Sequence, residues 1–228
     1  MPTDDVPAAQ RRAITSNALG IGIASGAYAI SYGAISIASG LDFWQTQLLS
    51  LLMFTGASQF ALVGVLGAGG GAVAAVLTAL LLGARNGIYA VSMAPRLNVT
   101  GLRRLAAAEL TIDESTAMAL ANEQPVRASR YAFWATGVSV YVLWNLGTLL
   151  GALGATAIGN PQSLGLDAAI PAAFIALLWP RLVDRSMWAL ALASGTVALL
   201  LTPVLRPGLP VLAAGIVALI AAALMERR

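Results

Sequence analysis

Four groups of residues in this chain place polar or charged side chains where the surrounding sequence makes them costly, and each group suggests a chemistry. Arg85 and Asn86 stand between Gly83 and Gly87 in the later half of an apolar stretch. A guanidinium beside a carboxamide suits a carboxylate or an acidic side chain in a water-filled cavity. Asp113 and Glu114 lie inside a second apolar stretch. In one helix Asp113 shares a face with Glu109, while Glu114 points about 100° away. A carboxyl in a poorly hydrated cavity can bind and release a proton during a transport cycle. Thr55-Gly56-Ala57-Ser58-Gln59 interrupts a third stretch. A helix broken there would expose backbone amides able to hold a carboxylate, with Thr55, Ser58 and Gln59 beside them. Trp144 and Asn145 sit near the middle of a fourth stretch, where the ring face suits an ammonium group.

Each group also has an account that needs no ligand. Arg85 would snorkel to a nearby helix end. Asp113 would pair with Arg85, or residues 105–122 would form a surface amphipathic helix with solvated acids. Gly56, Ala57 and Ser58 would let two helices pack closely. Trp144 would be core, and Asp167 a favourable acid at a helix start.

The missing residue types narrow the field. The 228 residues include no His and no Cys, and all 13 basic residues are Arg. Imidazole bases, Ser-His-Asp constellations, thiolate metal sites and Schiff-base lysines are therefore excluded, and no cofactor is expected. An intramembrane aspartyl pair from Asp113 and Asp167 is the one enzymatic arrangement left, and the reading is not an enzyme. Apolar residues make up 58% and charged residues 10%, with a mean hydropathy of +0.80. That lies well outside the range of soluble domains. A net charge of +3, from arginines flanking apolar stretches, reads as a topology signal and argues against nucleic acid.

The elements that must position these residues follow from the apolar stretches. A polar cytoplasmic tail over 1–16 precedes a single transmembrane domain over 17–228. Spans are expected at 17–39, 47–66, 72–93, 105–122, 131–154, 167–179, 187–201 and 209–225. The fold class is an all-α polytopic membrane protein with seven to eight transmembrane or re-entrant helices. On the first span Gly22 and Gly26, then Gly26, Gly33 and Gly40, make a row of bare backbone expected to pack closely on another helix. If every span crosses and the N-terminus is inside, eight arginines flank the inside and Arg96, Arg103, Arg104 and Arg206 the outside, which obeys the positive-inside tendency although the basic third connector weakens it. Re-entrant second and fourth segments would bring almost every arginine inside. Against that, Pro95-Arg96-Leu97 and Pro180-Arg181-Leu182 lie 85 residues apart. They suggest a three-plus-three inverted repeat over 17–97 and 102–182, followed by two C-terminal helices at 187–201 and 209–225.

Phe54-Thr55-Gly56-Ala57-Ser58-Gln59-Phe60-Ala61, Asn86 with Tyr89 and Pro95-Arg96-Leu97, Asp113-Glu114-Ser115, and Leu166-Asp167-Ala168-Ala169-Ile170-Pro171-Ala172 resemble, in order and spacing, the AzlC family. These are the large subunits of bacterial branched-chain amino acid exporters, and the resemblance spans roughly residues 17 to 205. It implies an inner-membrane protein that works with a small four-span subunit of the AzlD type. The pair would export valine, leucine, isoleucine or related amino acids using the proton gradient. The leading expectation is therefore a proton-coupled exporter. Its substrate would meet Gln59, Arg85 and Asn86 at the carboxylate, and Asp113 would carry the proton. The alternative is a channel or a non-transporting assembly subunit.

Overall fold

Glycines decide how closely the two longest helices of this protein approach. The structure is a computed structural model that describes residues 6–158, 175, 178–179, 182–206 and 208–225. Among these residues it is all-helical, with no strand. The helices are α1 (Ala8–Ala38), α2 (Phe43–Leu52), α3 (Gly56–Gly67), α4 (Ala72–Leu97), α5 (Leu102–Glu109), α6 (Asp113–Ala121), α7 (Val126–Ile158), α8 (Arg185–Leu201) and α9 (Leu209–Met225). Three of them, α1, α4 and α7, are long and apolar enough to cross a membrane.

α1 and α7 run parallel. The Thr15 and Tyr131 hydroxyls are 2.7 Å apart, and the Gln10 amide donates to the Gln124 carbonyl over 3.3 Å. Further along, a methyl on Gly26 would lie 2.7 Å from the Leu143 carbonyl. Methyls on Gly33, Gly147 and Gly151 would fall onto the carbonyls of Thr148, Gly26 and Ile30. The glycine row of the first span therefore does face another helix, and close backbone approach replaces the hydrophobic drive that lipid does not supply. Gly40 leaves the row. It lies in the turn after α1 with φ +92 and no neighbour near its missing side chain.

The second expected span is two helices. α2 starts where α1 stops, capped by the Asp42 carboxylate on the Gln45 amide at 2.8 Å. It descends along α7, with Ser50 bonded to Thr148 at 3.1 Å and the Tyr141 hydroxyl on the Leu51 carbonyl at 3.2 Å. The chain then reverses over Met53 to Thr55, and α3 climbs back until Gly67 packs on Ser39. The fourth expected span is also two helices and enters from the opposite end. α5 rises until Leu110 rests on Gly137, and α6 returns so that Met118 packs with Ile14, Ala128 and Ala132. With 8 to 12 residues each, these four helices rise about 12 to 18 Å at about 1.5 Å per residue, short of a hydrocarbon core of about 30 Å. Both pairs leave by the end they entered.

Further departures from the sequence reading have local causes. α1 begins at Ala8, within the stretch read as a tail, because no proline follows Pro7 to stop it. α4 continues through Pro95 to Leu97, since a proline in the last turn forfeits only one intrahelical bond. It ends at Asn98, whose φ of 47 makes the left-handed stop. At an offset of 85 residues, continuous α1 falls on the broken α5–α6 pair and the broken α2–α3 pair falls on continuous α7. The described residues thus do not show the two proposed repeats as copies. Most of the sixth span at 167–179, including Asp167, lies outside the described residues, as does Arg181. α8 and α9 pack on each other, and Gly215 of α9 packs against Leu81 of α4.

The re-entrant pairs also sort the charges. Within residues 6–158, Arg11, Arg12, Arg96, Arg103, Arg104, Arg127 and Arg130 gather at the end where α1 begins. There Arg96 bonds Glu123 at 2.8 Å, and the Arg130 Nε donates to the Arg96 carbonyl at 2.7 Å. Among residues 6–158 the other end carries Asp42 and no arginine; Arg206 joins it there, next to Gly208, which packs against Val65 and Ala74.

The α1–α7 seam gives a direct test. Gly147→Leu should destabilise the protein by about 3 kcal/mol or prevent its folding, because backbone and not a flexible side chain occupies the space. Gly154→Leu, on the same helix with nothing within 4 Å, should leave the melting temperature in detergent nearly unchanged. Equal melting temperatures for both variants would show that the seam is not closely packed.

Candidate functional site

The two reversals meet in the middle of the molecule, and beside them lies a cavity of about 450 Å³. Its walls come from the middle of each long helix: Ala24, Ser25 and Tyr28 of α1, Leu82 and Arg85 of α4, Val140 and Trp144 of α7. The first reversal adds Phe54, Thr55, Gly56 and Ala57, and the second adds Ile112, Asp113 and Glu114; Leu178 completes the lining.

Two helix N-termini therefore open on the cavity. At α3 the Thr55 side chain makes no cap bond, so the amides of Gly56, Ala57 and Ser58 have no intrahelical acceptor and the positive end of the helix faces the space. Gly56 is required there, since a methyl would lie 2.7 Å from the Trp144 ring. At α6 the first turn carries Asp113 and Glu114, acids in the place that the helix dipole favours. Ser115 holds that reversal by donating to the Leu110 carbonyl at 2.6 Å and accepting the Ile112 amide at 3.2 Å. Arg85 reaches across from α4 to Asp113, Nη1 to Oδ2, at 2.8 Å. Their side chains keep 31% and 27% exposure, so the pair lines the cavity and is open to whatever fills it. Arg85 is thus turned to a partner at mid-helix and does not snorkel to the helix end.

The first reversal is held by a side chain of its own α3 and by two from α7. The Gln59 amide donates to the carbonyls of Leu49 at 3.2 Å and Met53 at 2.9 Å, and its oxygen accepts the Trp144 indole N–H at 2.9 Å. The Tyr141 hydroxyl donates to the Leu51 carbonyl. Trp144 is fixed in turn against Tyr28 and Tyr32, with ring centroids 6.1 Å and 6.2 Å away.

Of the residues singled out in the sequence, Thr55, Arg85, Asp113, Glu114 and Trp144 meet at the cavity. Gln59 is fully buried behind it and committed to the reversal and to Trp144. Ser58 is buried against Gly83 between α3 and α4. Asn145 donates to the Tyr141 carbonyl at 2.8 Å and accepts from Gln47 at 3.4 Å, tying α2 to α7. Asn86 is half-buried next to Arg85, outside the lining. Sequence reasoning missed Tyr28 and Phe54 as lining residues. Nothing in the sequence marks Tyr28, whereas Phe54 opens the motif that carries the family resemblance. Among the described residues no group of three acidic, His or Cys side chains gathers that would hold a metal.

Gln59 gives a quantitative check. Gln59→Leu leaves the Trp144 N–H without a partner in the interior, at about 1 to 3 kcal/mol, while the carbonyls of Leu49 and Met53 keep the amides of Met53 and Thr55. Gln59→Leu combined with Trp144→Phe should destabilise less than the sum of the two single changes, as read by thermal unfolding in detergent. Strict additivity would show that the bond between them contributes nothing.

The AzlC protein family model matches residues 20–158, which contain α2 to α7, the later part of α1 and every described cavity residue except Leu178. No curated protein and no solved structure matches the chain. A match over more than half of the chain, together with three helices apolar and long enough to span, places this protein in the AzlC family of transport-related membrane proteins.

Proposed function

We propose that this chain is the large subunit of a secondary active exporter of branched-chain or similar amino acids, coupled to protons and paired with a small four-span AzlD-type subunit. The observation that carries this reading is the pairing of opposite charges around one mid-helix cavity. The α3 N-terminus and Arg85 offer positive charge a short way from Asp113 and Glu114, with Tyr28 and Trp144 alongside. That arrangement suits a zwitterion. Its carboxylate would meet the Gly56 and Ala57 amides and Arg85. Its ammonium would meet Glu114 and the ring faces, and Leu82, Ile112 and Val140 would wall its side chain.

Proton coupling follows from the Arg85–Asp113 pair. A proton on Asp113 breaks the pair and frees the guanidinium for the substrate carboxylate. Loss of that proton restores the pair and expels the substrate. Gln59 then acts by fixing Trp144 and the reversal, with no contact to the substrate. The arginines at the end where α1 begins support a cytoplasmic N-terminus in a bacterial inner membrane, because positive residues are retained on that side. With α2–α3 and α5–α6 both re-entrant, Arg96, Arg103 and Arg104 join the other arginines inside.

A second reading, a channel or a non-transporting assembly subunit, is favoured by one observation: Arg85 and Asp113 are bonded to each other, which suits charges that serve helix association. The two readings separate in cells that express the chain with its companion and are fed leucine-containing dipeptides. Export should follow the pH gradient. Asp113→Asn and Arg85→Ala should each lower it by about tenfold or more at equal abundance, which corresponds to about 1.4 kcal/mol at the site. Export that ignores the gradient, or survives both substitutions, would favour the second reading.

A further inference from the structure

Three aromatic side chains stand on the cavity wall, Tyr28, Phe54 and Trp144, and each is backed by a further ring. Centroid to centroid, Tyr28 lies 4.9 Å from Phe60, Phe54 5.0 Å from Tyr141 and Trp144 6.2 Å from Tyr32. Their polar tips are turned away from the space. The Trp144 indole N–H is given to Gln59, and the Tyr28 hydroxyl oxygen is buried out of reach of the cavity. What these side chains present to a ligand is therefore ring carbon in a fixed orientation.

The size of the cavity narrows what can fill it. An apolar cavity of about 150 Å³ holds one benzene molecule, so about 450 Å³ has room for roughly three times as many atoms. On that scale valine or leucine fills about half of the space and tryptophan most of it. Room left beside a small substrate has no partner atoms, and its lining forfeits contacts. The room comes from small residues on two helices, Ala24 and Ser25 of α1 and Gly56 and Ala57 of α3. A peptide would also fill it, but the charges argue against one. Arg85 stands 2.8 Å from Asp113, and Glu114 follows Asp113 in the chain. Cation and anion are spaced for the two ends of a single amino acid, whereas a second residue would move those ends apart by up to about 3.6 Å. The remaining volume falls to one side chain.

We propose that the cavity selects amino acids with aromatic side chains, tryptophan and phenylalanine, over valine and leucine. The ring of the substrate meets Tyr28, Phe54 and Trp144, where paired rings gain an attraction beyond the area they bury and a branched aliphatic group does not. An ammonium covers part of one ring face, so its place beside Glu114 leaves the rest of the ring carbon to the side chain. Leu82, Ile112 and Val140 complete the apolar wall. The inference rests on the amino acid export reading above and names the side chain which that reading leaves open.

The test uses cells that express the full chain with its companion and are fed dipeptides releasing tryptophan, phenylalanine, leucine or valine. Export is measured per unit of internal amino acid, above that of cells lacking the chain. Tryptophan and phenylalanine should leave about tenfold faster than valine on this scale, which corresponds to about 1.4 kcal/mol. Ala24→Leu, at an exposed position on the cavity wall, takes up space and leaves the charged groups unaltered. It should bring the tryptophan-to-valine ratio down to near one, and because the ratio is taken within one strain, abundance cancels. Leucine or valine leaving as fast as tryptophan in the parent would overturn the proposal and leave the export reading standing. Export of none of the four would overturn both. A tryptophan preference that survives Ala24→Leu unchanged would show that this cavity does not set it.

Discussion

A helix interrupted inside hydrocarbon leaves backbone N–H and C=O groups with no water to bond, and each costs several kcal/mol if left alone. This chain interrupts two apolar stretches and meets the cost with side chains from elsewhere. Gln59 gives the carbonyls of Leu49 and Met53 a second donor, and Tyr141 covers Leu51. Ser115 serves both sides of the second reversal. The same bonds fix Trp144 and bring the α3 and α6 N-termini to one cavity. Site geometry and backbone satisfaction are therefore one arrangement.

That arrangement needs a rigid support, which the α1–α7 seam provides. Because Gly26, Gly33, Gly147 and Gly151 admit backbone where side chains would stand, the two helices hold a fixed register. Val140 and Trp144 are thereby set opposite Ser25 and Tyr28 at the cavity. α4 is bound differently, with much of its surface uncovered. Its Arg85 meets Asp113 through charge across the cavity.

Several elements were legible because each is written in one local stretch. The apolar runs announced α1, α4, α7, α8 and α9, and the glycine row announced close packing. The polar interruptions at 55–59 and 113–114 announced the site, since charge and backbone breaks are costly in lipid wherever the chain goes. The second and fourth segments were less legible, because a stretch of about 20 residues has the same composition whether it crosses or turns back. The choice depends on partners for the broken backbone that lie far along the chain, such as Tyr141 for Leu51.

The sequence by itself determined that this is a helical membrane protein, that its chemistry must use arginine and carboxylates, and where its helices are interrupted. These follow from transfer costs, which act residue by residue. Only the tertiary structure decided that both interruptions are reversals meeting from opposite ends. It also placed Gln59, Ser58 and Asn145 in support of the site and not on its wall, and brought Tyr28 and Phe54 to the cavity. Those outcomes depend on which groups come within hydrogen-bond distance after α1 and α7 have locked together, and no local stretch of chain carries that information.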